Sequence, residues 1–204
     1  ARGLEIQYAY DARGNLSDIT ASNGASESYA YDGEGRLVRA TDSLGRNATY
    51  EYDLWGSLVA EHAFDGSTVA YSYDAAGQLV SETDALGNAT SYRYDVRGNT
   101  IEVEKPGGAL VSYEYDDANR LTRSTDALGN ASAYVYDKAG RAVAETDPDG
   151  YTSSFPYDAT GQVVEATDGN GNATSYAYDA VGNLVSVTRP EGCLLYTSDA
   201  ADDT

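Results

Sequence analysis

The dipeptide Tyr-Asp returns every 21 residues through this chain, nine times and without an insertion or deletion. A fixed period of this length marks a repeat architecture rather than one globular core. Each unit of such a chain contacts mainly its neighbours, so the expected product is an extended strip or solenoid. Function then lies in the surface or shape of the strip more than in one buried site.

The repeat has a second fixed position three residues after the Asp. The constellation runs Tyr10, Asp11, Gly14; Tyr31, Asp32, Gly35; Tyr52, Asp53, Gly56; Tyr73, Asp74, Gly77; Tyr94, Asp95, Gly98. It continues Tyr115, Asp116, Asn119; Tyr136, Asp137, Gly140; Tyr157, Asp158, Gly161; Tyr178, Asp179, Gly182. The one exception, Asn119, is the residue type that next best tolerates a left-handed backbone. A second glycine series (Gly24, Gly45, Gly66, Gly87, Gly108, Gly129, Gly150, Gly171, Gly192) has no exception. Two turn points about ten residues apart predict a β-meander with two strands per repeat.

The segments between the turns read as strands. Two aromatics stand two residues apart before each first turn, as in Tyr8 and Tyr10 or Tyr50 and Tyr52, with Phe155 as the single replacement. Period two puts both on one face and the variable residue between them (Ala30, Glu51, Arg93, Val135, Pro156) on the other. Leu-Val pairs such as Leu37-Val38 and Leu79-Val80 follow the turn, their side chains expected on opposite faces. No window has helical periodicity. The predicted fold class is all-β, an antiparallel hairpin strip. The Asp is suited to start an Asx turn, and the Tyr and Asp ladders read as structural.

The formal net charge of −20 argues against nucleic acid as a partner, and there is no apolar run long enough to span a membrane. The chain opens inside a repeat and has no starting Met, so it is expected to be an internal fragment, truncated at both ends. Residues 193–204 leave the register, and from Cys193 to Asp202 they resemble a translated transposase sequencing adaptor. They are expected to be non-native, which leaves 1–192 as nine repeats. The only Cys is then foreign, and without Asp199, Asp202 and Asp203 the net charge is −17.

The template shown by Asp74-Ala75-Ala76-Gly77-Gln78-Leu79-Val80 and Thr83-Asp84-Ala85-Leu86-Gly87-Asn88-Ala89-Thr90-Ser91-Tyr92-Arg93-Tyr94-Asp95 resembles the YD or Rhs repeat. That family includes bacterial rearrangement-hotspot and wall-associated proteins, shell components of insecticidal toxin complexes, and animal teneurins. The resemblance covers 1–192. It implies a long β-strip spiralling into a hollow shell, which in bacterial members holds a C-terminal toxin domain of the same polypeptide. Acidic, Tyr- and Gly-rich repeats with so little Cys suit a secreted or cell-surface bacterial protein, and variable positions that scatter single polar residues predict a structural role without enzyme activity. A second function class is a surface module whose exposed Tyr rows bind carbohydrate or a partner protein. Eighteen strands ~4.8 Å apart make a strip of roughly 85 Å, enough for about one open coil and too short to enclose a toxin alone.

Candidate chemistry is sparse. The family's self-cleaving Asp-Pro motif has its nearest match at Asp147-Pro148-Asp149-Gly150-Tyr151, which falls on the ordinary second-turn register. His62 is the only His, too little for a triad or transition-metal site. Trp55 fills a variable turn position and reads as local packing. Asp168-Gly169-Asn170-Gly171-Asn172 begins like a Ca²⁺ loop but lacks the later Gly and Glu. Sequon-like triplets begin at Asn15, Asn47, Asn88, Asn130 and Asn172, four of them generated by the repeat itself. The sequence therefore predicts no catalytic, cofactor or metal residues.

Overall fold

The computed structural model describes residues 3–189. Gly192 and residues 193–204 lie outside the described residues. The chain forms two compact units. One runs to Arg93 and includes Val103–Gly108; the other comprises Tyr94–Glu102 and the residues from Ala109 onward. Among the described residues every regular element is a strand.

The strands of the first unit are β1 (Ile6–Tyr10), β2 (Leu16–Ala21), β3 (Ser26–Tyr31), β4 (Leu37–Thr41), β5 (Asn47–Tyr52), β6 (Leu58–His62), β7 (Thr68–Tyr73), β8 (Leu79–Thr83) and β9 (Ala89–Tyr94). Each pairs antiparallel with the next. After β10 (Thr100–Lys105) the second unit continues with β11 (Ala109–Tyr115), β12 (Leu121–Thr125), β13 (Ala131–Tyr136), β14 (Ala142–Thr146), β15 (Thr152–Ser154), β16 (Glu165–Thr167), β17 (Ala173–Tyr178) and β18 (Leu184–Thr188). From β11 to β18 these also pair antiparallel in chain order. Each unit is therefore a meander of two strands per repeat, as the glycine register predicts.

Neither unit has a layered core. Among the described residues only Ala40 and Ala48 are buried, 6% and 2% exposed, and they are direct cross-strand partners. The ladder tyrosines are half-buried from Tyr29 to Tyr178 and exposed only at Tyr8 and Tyr10, on the first strand. Stability comes from rows of cross-strand pairs, each worth roughly 0.2–1 kcal/mol. Tyr29 stands opposite Ala40, while Tyr50, Tyr71 and Tyr134 stand opposite Glu61, Glu82 and Glu145.

Plain alternation fails at one point per repeat. Ala30 pairs with Arg39, but Tyr31 pairs with Leu37, so Val38 has no partner across the ladder. The same bulge recurs at Tyr10, Tyr52, Tyr73, Tyr115, Tyr136 and Tyr178. Opposite faces for adjacent Leu and Val is thus too simple a reading, because a bulge sets two residues against one.

The eighth repeat departs further. β15 and β16 have 3 residues each and share one paired position, Ser154 with Thr167. Pro156 stands where other repeats have a ladder donor, and proline has no N–H to give. The ladder resumes only as an isolated bridge between Tyr157 and Val163. In the sequence Pro156 looked like one more variable residue; its backbone chemistry makes it the strand breaker.

Candidate functional site

The first turn of each repeat is built by its Asp. At Asp32 the backbone N–H donates to the Arg36 carbonyl (3.0 Å) and Gly35 N–H donates back to the Asp32 carbonyl (3.2 Å). Asp32 Oδ1 accepts from the N–H groups of Glu34 (3.0 Å) and Arg36 (2.9 Å). Gly35 holds φ 83, the left-handed geometry that closes a five-residue turn with a bulge. The predicted Asx turn is therefore present, and the second turns reuse it. Asp42, Asp84, Asp126, Asp147 and Asp168 each accept two N–H bonds in the same way. Where Ala21 and Ala63 replace that Asp, Asn23 and Asp65 accept one of the bonds from inside the turn.

Where the residue after the first-turn glycine is Arg, it links one repeat to the next. Arg36 Nε donates to Asp32 Oδ2 at 2.6 Å, and its guanidinium lies over the Tyr52 ring at 4.8 Å. Arg120 pairs likewise with Asp116 and Tyr136 (4.7 Å), and Arg141 with Asp137 and Tyr157 (4.4 Å). Arg36 and Arg120 also reach the backbone carbonyls of Asp53 and Asp137 in the following turn. An Asn at this position, such as Asn15, Asn99 or Asn183, satisfies Oδ2 through its amide. The sequence signal was an Arg recurring in one register, diluted by Asn, Ser and Gln in the other repeats.

The second Tyr of the pair ties the repeats from the opposite direction. The hydroxyls of Tyr31, Tyr52, Tyr73, Tyr136 and Tyr178 donate to the carbonyls of Leu16, Leu37, Leu58, Leu121 and Val163 at 2.8–2.9 Å. Each acceptor lies 15 residues back, at the start of the adjacent preceding strand or, for Val163, at the isolated bridge. A half-buried hydrogen bond of this kind contributes about 0.5–1.5 kcal/mol net. The Tyr and Asp positions thus meet along the turn edge of each unit as a framework.

The first Tyr of the pair has a different environment. Tyr29 donates to the Glu27 carboxylate, and that bond, with burial and the charge of Glu27, pushes its phenol up to about 12. Burial and then Glu61 raise Tyr50, and burial and then Glu82 raise Tyr71. A folded value above the unfolded ~10 means stability present below pH ~10 and lost as pH rises through about 12. Absorbance titration of the phenols should therefore show Tyr29 ionising last, and Glu27→Gln should return it toward the others. An unchanged titration in that variant would refute the assignment.

The remaining candidates resolve into framework. Asp168 spends Oδ1 on Asn170 and Asn172 N–H groups and Oδ2 on the Asn172 amide, as Asp84 and Asp126 do in their turns. Asp147 and Gly150 form the same turn, with Gly150 at φ 87. The sequon-like Asn15, Asn88, Asn130 and Asn172 donate their amides to turn aspartates. His62 lies between Thr68 Oγ1 (2.8 Å) and Glu51 Oε1 (3.3 Å). Trp55 is not packed: it is 88% exposed, because its turn position projects it beyond the sheet.

The sequence family described as teneurin YD-shell matches residues 1–147. The chain belongs to that family. The RHS repeat matches residues 157–192 of this YD-shell chain. No curated protein shows a matching sequence. Among solved structures, the crystal structure of TcdB2-TccC3-TEV is similar over 93% of the chain, at 18% identity and a TM-score of 0.66. The Photorhabdus luminescens Tc holotoxin pore with the TccC3 substitution D651A aligns over 90% at 18% identity, with a TM-score of 0.47. The YD-shell chain spans only 11% and 14% of those two chains.

Proposed function

We propose that this chain is a wall segment of a β-shell that encloses a C-terminal toxin domain of the same polypeptide, in a secreted bacterial protein. Family membership and the fold shared with TcdB2-TccC3-TEV support a shell role. The observation that carries the reading is the inter-repeat framework. The Tyr hydroxyls reach back and the Arg guanidinia reach forward, so the strip extends by addition of like units. Most of its turn carboxylates are committed to turns, which suits a wall, and among the described residues no nucleophile, base and oxyanion donors are gathered as catalysis needs. The alternative of Tyr rows as a carbohydrate or protein platform has less surface to work with, since most ladder tyrosines are half-buried.

Protease protection tests the proposal. In the complete polypeptide carrying these repeats, the C-terminal domain should resist added protease while the repeats stay folded. It should become cleavable when they unfold. Ready digestion of that domain beside intact repeats would overturn the shell reading.

A further inference from the structure

We propose that the cavity beside Trp55 binds an arginine side chain presented by a partner polypeptide, in the place that the chain's own arginines fill elsewhere. The cavity lies in the first unit and measures about 440 Å³, within the range of small-ligand sites. Its lining includes Asp53, Trp55, Ser57, Tyr73, Asp74 and Gly77.

The template for the occupant is in the chain itself. Arg36, Arg120 and Arg141 each bond the turn Asp four residues back and lie 4.4–4.8 Å over the next repeat's Tyr ring. Each also crosses the next turn's glycine. A Cβ at Gly56, Gly140 or Gly161 would stand 3.5, 3.7 or 3.2 Å from an arginine Nη1. In the repeat that begins at Asp53 the corresponding residue is Ser57, and a Cβ at Gly77 would meet nothing within 4 Å.

What the missing guanidinium leaves behind is chemically specific. Asp53 Oδ1 accepts from Trp55 and Ser57 N–H groups, both at 2.9 Å. No donor among the described residues meets its Oδ2, the oxygen that Arg36 Nε takes on Asp32. The Tyr73 ring is fixed by its hydroxyl bond to the Leu58 carbonyl (2.9 Å). Asp74, in the next turn, likewise uses only Oδ1, for the N–H groups of Ala76 and Gln78. Two carboxylate oxygens, a fixed phenol ring and an exposed indole suit a planar cation that hydrogen-bonds at its edge and stacks on its face. The net charge of −20 draws a basic segment toward this surface.

The single Trp of the chain stands at the cavity and reports on it. Nα-acetyl-arginine amide, titrated into the full chain at 0.15 M salt, should change Trp55 fluorescence saturably. The neutral isostere Nα-acetyl-citrulline amide should act at least tenfold more weakly. Ser57→Arg supplies the guanidinium in cis and should abolish the response with the circular dichroism unchanged. If that variant misfolds, Asp53→Asn decides, since its amide keeps the turn acceptor and removes the charge; it should weaken the response at least tenfold. Equal responses to arginine and citrulline, an undiminished response in a folded variant, or saturation by methyl β-glucoside but not by arginine would each overturn the proposal.

Discussion

Lowering the pH from 5 to 2 should unfold this chain cooperatively, read as loss of the β signal in far-UV circular dichroism. Twelve turn aspartates are held below the usual carboxylate range. A side-chain hydrogen bond is the leading cause at Asp11, Asp65, Asp84, Asp95, Asp116, Asp126 and Asp168. A backbone N–H leads at Asp137, Asp158 and Asp179. At Asp32 and Asp42 desolvation acts against the shift, and the bonds from Arg36 and Arg46 overcome it. A carboxylate with a depressed folded value stabilises the fold above its unfolded value near ~3.9, and that stability is lost as pH falls through the folded value. Protonation also relieves the repulsion of a chain with net charge −20. That opposing effect is the weaker one. Successive turns along one edge are about two strand spacings apart, roughly 10 Å. Salt screens charges over ~8 Å at physiological strength, whereas the hydrogen bonds act at contact. Asp→Asn at the four first turns Asp32, Asp95, Asp116 and Asp137 keeps the Oδ1 acceptor and removes a carboxylate held low in each. It should move the acid transition to lower pH. Full β signal at pH 2 in the unsubstituted chain would contradict the argument.

Gly161→Val should be among the most damaging substitutions at the left-handed turn glycines. Gly161 sits at φ 94, and a Cβ there would stand 3.2 Å from Arg141 Nη1. The left-handed backbone costs a side chain about 1–2 kcal/mol before any contact is counted, and β-branching adds to it. The guanidinium must also leave its place over the Tyr157 ring. Gly161→Ala should fall between Val and Asn in thermal denaturation. Asn is the mildest, because Asn119 already holds the equivalent position at φ 61. Adding Arg141→Ala should recover the steric part of the loss and leave the backbone part. Equal melting temperatures for the three variants would show that the turn geometry is not limiting.

The features most legible in the sequence were those where backbone chemistry leaves little choice. A left-handed turn position demands Gly or Asn, so both glycine series located their turns, and the strands between them followed. The Asp ladder was legible because an Asx turn needs that carboxylate. Less legible was anything carried by a position whose identity varies. The residue after the turn glycine is Arg, Asn, Ser or Gln, so the task its Arg and Asn members share, engaging Asp Oδ2, is hidden by the variation and the reach of Arg to the next repeat is visible only when Arg36 and Tyr52 are seen together. The destination of the Tyr hydroxyl was also hidden. Nothing in the repeat spacing announces a bond 15 residues back, or the bulge at Tyr52. Trp55 misled in the other direction, since a large apolar residue reads as packing until its turn is found to face outward.

The ties between repeats have a reach of their own. The hydroxyl bonds span 15 residues, and the arginine bonds to the following turn span 17 to 20. None exceeds a single period of 21 residues. A genetic deletion or duplication of one whole period therefore rejoins these tyrosines to carbonyls and these arginines to turns, with no core beyond Ala40 and Ala48 among the described residues to refit. Loss of 20 or 22 residues instead throws each later side chain onto the opposite face. The length of such a wall is thus quantised: it can be tuned one repeat at a time, in steps of roughly 10 Å, by unequal recombination alone.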